Sequence, residues 1–171
     1  LSVSNCMIGM IGNGNDAVII DGCTFTDCGQ AAEFASTTGL RFTGNTAVNT
    51  GDEGEAAIVL SSCPAALFED NSIATAQLHG LLVDGCNETE VAGNAIADCH
   101  PGGIRIENST TASIASNDVS SCAYGIDALS SPDLLVEANR VRSCTINGIQ
   151  AADAPAAVFN KIVHGNSRDG I

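Results

Sequence analysis

Apolar and polar residues alternate in short bursts along this chain, and the bursts recur around one frame. In the segments FTGNTA, FEDNSI, VAGNAI, IASNDV, VEANRV and AVFNKI an apolar residue stands three before an asparagine and another two after it. The asparagines are Asn45, Asn71, Asn94, Asn117, Asn139 and Asn160, at intervals of 26, 23, 23, 22 and 21 residues. A fixed period of about 20 to 50 residues is the mark of a solenoid.

One period, from Asn94 to Asn117, gives the plan. A strand carrying Thr89 and Val91 precedes the asparagine; Ile96 and Cys99 follow it. A Gly-rich corner (His100, Pro101, Gly102, Gly103) leads into the strand Ile104-Arg105-Ile106, and 107–111 turn back toward Ile114. Alternation over such short stretches, bounded by Gly, Asn, Ser and Asp, predicts strand and turn, and no segment sustains a 3.6-residue period.

The expectation is therefore an all-β fold of rungs stacked in parallel about 4.8 Å apart. It has about seven to eight coils of 21–26 residues, a rod on the order of 35 Å long. Three inward rows are predicted. They are Ile20, Phe42, Phe68, Val91, Ile114, Val136; then Phe25, Ala47, Ile73, Ile96, Val119, Val141, Ile162; then Ile58, Leu81, Ile104, Ile126, Ile149. Cys23 takes the asparagine position one period before Asn45, and Cys6 takes it before that. The spacing of 17 residues between them predicts a first coil shorter than the rest.

The asparagines read as a structural ladder. Asparagine tolerates the left-handed backbone of a tight corner, and stacked amides can donate one to the next. Cysteines follow the same register. Cys28, Cys99, Cys122 and Cys144 lie five residues past a corner, while Cys63 matches Cys86 and Cys6 matches Cys23. Rung neighbours fall within disulfide reach, so Cys6–Cys23, Cys63–Cys86 and Cys99–Cys122 are candidate bridges; stacked reduced thiols are the alternative. Without C-x-x-C spacing, a cysteine metal site is not expected.

Composition narrows the partners. Six basic residues against twenty acidic ones give a net charge of −14, and Lys161 is the only lysine. Such a surface does not suit nucleic acid or an anionic membrane. No apolar run is long enough to insert into a bilayer. The chain opens at Leu1 without a basic leader. It reads as a single domain, 1–171, that starts and stops inside strands with neither end capped.

The frame of apolar-x-x-Asn-x-apolar, then Cys, then Gly-Ile, resembles the right-handed parallel β-helix repeat of the pectin-lyase-like superfamily. The resemblance covers 17–171 and, more loosely, 1–16. It implies a fold shared by polysaccharide lyases, hydrolases, epimerases, phage tailspikes and non-catalytic surface proteins. It also implies that chemistry would stand on the outer face of the Gly-Ile strand and its preceding corner. There the strand offers Val59, Leu82, Arg105, Asp127 and Gln150, and the corners offer Asp52, Glu53, Glu55, His79, His100, Tyr124 and Asn147. Arg105 and Asp127 should be rung neighbours with His100, Tyr124 and Glu107 nearby. That set could bind a uronate carboxylate or move a proton beside one; its alternative is a surface ion pair. The paired aspartates and Gly-His-Gly of polygalacturonase-like enzymes are missing, as is the Asp-Pro-His-Glu of alginate-type epimerases.

The acidic loop with Asp52, Glu53 and Glu55 could hold calcium through oxygen ligands, or be a solvated insertion; no other cofactor is expected. Three functions fit. Open ends favour a non-catalytic extracellular module that stacks head-to-tail on itself into a filament or surface layer. The alternative is a carbohydrate-active or sugar-binding β-helix acting on an acidic polysaccharide; as an enzyme it would be a lyase, hydrolase or epimerase. The third is a spacer repeat of a larger surface protein or adhesin. All three place the chain outside the cell or on its surface.

Overall fold

A computed structural model describes residues 1–51, 56–153, 156–159 and 161–167. Every element among them is a strand, and the strands fall into three parallel sheets. The first sheet has eight strands, from Ser2–Ser4 to Ile162–His164; the second has seven, from Ile8–Asn13 to Ile149–Ala152; the third has seven, from Ile19–Asp21 to Ala156–Phe159. The chain visits the sheets in turn, so each circuit adds one strand to each. This is a parallel β-solenoid.

The predicted rows are the core. Ile20, Phe42, Phe68, Val91, Ile114 and Val136 pair successively in the third sheet. Ile58, Leu81, Ile104, Ile126 and Ile149 do so in the second. Phe42 and Phe68 stack with centroids 5.3 Å apart and rings parallel to within 1°, while Phe34 meets Phe42 edge-on at 6.1 Å. Ala31, Ala32, Ala47 and Ala57, all fully buried, leave room for these rings in the early coils.

Two register expectations are corrected. The first coil is not short: Val3 pairs with Phe25, and Cys6 stands against Cys28 at a spacing of 22 residues. Val3 is thus the apolar residue after a corner rather than before one, so Cys6 is not the counterpart of Cys23. At the other end Val141 pairs with Val163 rather than Ile162, which is exposed. Asn160 lies outside the described residues, and Lys161 is the residue level with Asn139.

The corners turn on single left-handed residues. Gly44, Asp70, Gly93, Ser116 and Ala138 have φ between 53° and 65°, and each directly precedes a ladder asparagine. The asparagine itself therefore does not take the left-handed conformation expected of it. A Cβ-bearing residue in that conformation costs about 1–2 kcal/mol, and the ladder offsets it. The Nδ2 of Asn71 donates to Oδ1 of Asn94 at 3.0 Å, and so do Asn45 to Asn71, Asn94 to Asn117 and Asn117 to Asn139 at 2.9–3.2 Å. Each Oδ1 also accepts the backbone N–H of the asparagine one coil earlier.

A second ladder, not expected from the sequence, uses shorter side chains. Cys63 N–H donates to Cys86 Sγ at 3.1 Å, Cys86 N–H to Ser109 Oγ at 3.0 Å and Ser109 N–H to Ser131 Oγ at 3.2 Å. Thiol and hydroxyl stand where asparagine stands elsewhere. This accounts for the Cys63/Cys86 equivalence without a bond between them.

All eight cysteines are free thiols, as in the stacked reduced reading, and the register sets Cys6 apart from Cys23 as a bridging pair. Cys6 faces Cys28 rather than Cys23. The Sγ of Cys86 donates to Asp84 O at 3.3 Å while accepting from Cys63 N–H. The thiols of Cys99 and Cys122 each turn to the carbonyl two residues back, Ala97 O at 3.3 Å and Ser120 O at 3.2 Å.

Candidate functional site

The chemistry-bearing residues gather on the outer face of the second sheet. Its strands Leu81–Asp84, Gly102–Glu107, Tyr124–Leu129 and Ile149–Ala152 pair so that Leu82, Arg105, Asp127 and Gln150 form one outward column. The glycines that open these strands are dictated by the interior: a Cβ on Gly103 would collide with Val119 Cγ1 and stand 2.8 Å from Gly125 O. The Gly-Ile step therefore lets the corner close over the core and delivers the next outward residue, Arg105, in register.

Arg105 reaches both ways. Its Nε donates to Glu107 Oε2 at 2.9 Å along the strand, and its Nη1 donates to Asp127 Oδ2 at 3.1 Å across one rung. Asp127 is 8% exposed. Burial pushes its carboxyl above the ordinary range, the Arg105 guanidinium opposes this, and the Glu107 charge adds to it. Two carboxylates share one guanidinium, so with both ionised the cluster is net negative. In that state Arg105 is committed to the two protein carboxylates and is not a free anchor for a substrate carboxylate.

The histidine beside this cluster is His79, not His100. His79 lies over Gly102, where any Cβ would collide with its Nδ1, and that buried nitrogen has no hydrogen-bond partner among the described residues. Burial and then the Arg105 charge lower its pKa, against the opposing charge of Glu107, to about 4, so the ring is neutral at ordinary pH. The sequence marks His79 only as a corner residue. Carrying the Leu81/Ile104 match two residues back would have set it level with Gly102. Tyr124 is on the next rung, level with Gly102. His100 is exposed on the turn, its backbone N–H donating to Ala76 O, and the structure does not bring it to Arg105.

Asp52, Glu53 and Glu55 lie outside the described residues. Among the described residues no group of three His, Cys, Asp or Glu side chains could hold a metal ion, and no helix is long and apolar enough to cross a membrane. A separate polar pocket of about 320 Å³ is lined by Asp27, Asn49, Thr50, Thr75 and Gln77.

The family model of the right-handed beta helix region matches residues 49–171. The chain belongs to this family. Solved β-helices reproduce its coil. The periplasmic alginate epimerase AlgG superposes with a TM-score of 0.78 at 15% identity, over 96% of this chain and 49% of the epimerase. Full-length tailspike protein 2 from Escherichia coli O157:H7 bacteriophage CAB120 gives 0.61 at 16% identity, over 98% of this chain and 25% of the tailspike. The Dettilon tailspike protein gives 0.54 at 14% identity, over 96% and 43%. This β-helix thus spans half or less of each of these proteins, and at such identities the likeness is one of fold. No curated protein matches the sequence.

Proposed function

We propose that this β-helix is a carbohydrate-active or sugar-binding module that works on an acidic polysaccharide along the outer face of its second sheet. The observation that carries the reading is the Glu107–Arg105–Asp127 cluster on that face, with the buried carboxyl of Asp127, its pKa raised by burial, beside an arginine. An extended polymer fits the open face of a sheet, and rung-to-rung repetition supplies successive polar side chains such as Gln150 and Asn147. Fold neighbours that include an alginate epimerase and phage tailspikes support this reading over a self-stacking filament. The periplasmic location named for the epimerase supports an exported protein.

The charge balance defines how an anionic chain would bind. With Glu107 and Asp127 both ionised, a sugar carboxylate meets net negative charge. With Asp127 protonated, Arg105 is released from one partner and can take a sugar carboxylate, while Asp127 holds a proton to donate. His79, neutral, adds no charge. The test is turnover and retention on uronate-rich and neutral polysaccharides by the wild type and by Arg105→Ala and Asp127→Asn. Retention on a uronate polymer that Arg105→Ala loses and Asp127→Asn keeps, with any turnover lost in both, supports the site; equal behaviour of all three proteins removes it.

A further inference from the structure

The eight thiols divide by where the sulfur points. Cys63, Cys86, Cys99, Cys122 and Cys144 are at most 1% exposed, and each donates to a carbonyl of its own strand region. Cys23 does likewise, toward Asp21 O. Cys6 differs on both counts. It is the one cysteine that is not buried, and its Sγ is 2.8 Å from the Sγ of Cys28 on the next rung.

The backbone supports this approach. Gly29 N–H donates to Cys6 O at 2.8 Å and Asn5 N–H to Thr26 O at 3.1 Å, so the two residues are in-register parallel neighbours on either side of the contact. Such neighbours stand about 4.8 Å apart at Cα, inside the window of roughly 4.4–6.8 Å that a disulfide tolerates. The sulfurs need to close by less than about 1 Å to reach the roughly 2.05 Å bond.

We infer that Cys6 and Cys28 form a disulfide when the protein meets an oxidising environment, fastening the first coil to the second. With a small-molecule disulfide as oxidant, the Cys6 thiolate attacks one sulfur of the oxidant, forming a mixed disulfide and releasing one thiol. The Cys28 thiolate then attacks Cys6 Sγ, forming the protein disulfide and releasing the second thiol. Two protein thiols are oxidised, one disulfide is reduced, and both protons end on the released thiols. The hydrogen bond from Cys6 to Cys28, with burial and the Cys28 charge, holds the Cys6 pKa up at about 11, which slows the first exchange step. The other thiols are shielded by burial and react only when the chain opens. The bond would resist fraying of the strands Ser2–Ser4 and Ile8–Asn13, which flank Cys6.

The experiment is oxidation of the folded protein with oxidised glutathione, followed by unfolding, alkylation of the remaining thiols and mass analysis, with non-reducing peptide mapping. The expected result is two fewer alkyl groups than in the reduced protein and a cross-linked peptide joining Cys6 to Cys28, reversed by dithiothreitol. Cys6→Ser should abolish the cross-link and keep the other thiols alkylable. A full set of alkylated thiols after oxidation, a persistent glutathione adduct on Cys6, or a cross-link joining any other pair would overturn the inference. Peptide mapping of the wild type decides the outcome even where the variant folds poorly.

Discussion

Arg105 bridges two rungs of the solenoid by donating from Nη1 to the Oδ2 of Asp127, 3.1 Å away and 22 residues along the chain. The pair sits on the exposed side of the wall, yet Asp127 is nearly out of reach of water, so the arginine is its main source of charge compensation. Removing the arginine leaves a desolvated carboxylate behind. We expect Arg105→Ala to cost about 1–3 kcal/mol at neutral pH and to cost less in acid, where Asp127 is protonated. Urea denaturation at both pH values checks this.

Asp127 and His79 should tilt the pH dependence of stability in opposite directions. The folded pKa of Asp127 is raised above the ordinary 3.8, so its favourable contribution is complete below that value and is lost as pH rises through the folded pKa. Asp127→Asn should therefore be least favourable relative to the wild type in acid and recover as pH rises. The folded pKa of His79 is lowered from 6.5 to about 4, so its contribution is complete above 6.5 and is lost as pH falls toward 4. His79→Gln should narrow its stability gap to the wild type over that window. Denaturant midpoints measured across roughly pH 3–8 on the three proteins, a span that brackets ordinary carboxylate and imidazole titration, separate the two effects.

The asparagine ladder predicts a larger loss than its solvent-free side chains suggest. Asn94→Ala removes the acceptor for both the backbone N–H and the Nδ2 of Asn71, and it removes the donor that satisfies Phe68 O. Several buried polar groups are orphaned together, so a destabilisation of roughly 3 kcal/mol is expected. Ser109→Ala in the second ladder orphans Cys86 N–H alone and should cost about 1–2 kcal/mol. Calorimetric or chemical unfolding ranks the two variants.

Glycines at two kinds of position should fail for different reasons. In Gly103→Ala the new methyl meets Val119 and the Gly125 carbonyl, costing about 1–3 kcal/mol. Gly22→Ala has open space around the new methyl but a φ of 60°, so its penalty of about 1 kcal/mol is one of backbone conformation. Adding Val119→Ala should recover part of the first loss and none of the second. A double-mutant cycle measures the difference.

The fold was legible because its period is written in residue types that are hard to replace inside a narrow coil. Phe42, Phe68, Val91 and Ile114 recur one coil apart, and the asparagines mark the register between them. Register failed at Cys6 and at Ile162, the two places where the frame was extended by matching a residue type instead of counting the coil. A 22-residue step from Phe25 back to Val3 would have found the first coil. The second ladder was hidden because Cys63, Cys86, Ser109 and Ser131 share a hydrogen-bonding function but not an identity. At the candidate site, the Arg105–Asp127 contact followed from the register. Which histidine stands near Arg105 did not, because the sequence singled out His100 from a corner that faces solvent. How deeply Asp127 is desolvated is likewise a property of the packed wall, with no sequence signature.

The most direct test of the polysaccharide reading is the affinity of the protein for a uronate oligosaccharide in acid and at neutral pH, measured by calorimetry on the wild type, Arg105→Ala and Asp127→Asn. Binding by the wild type should tighten on acidification as Asp127 takes up its proton. Asp127→Asn should bind nearly independently of pH, and Arg105→Ala should not bind at either. Affinity that is the same at both pH values in the wild type, or that survives loss of Arg105, would contradict a sugar-carboxylate site on this face.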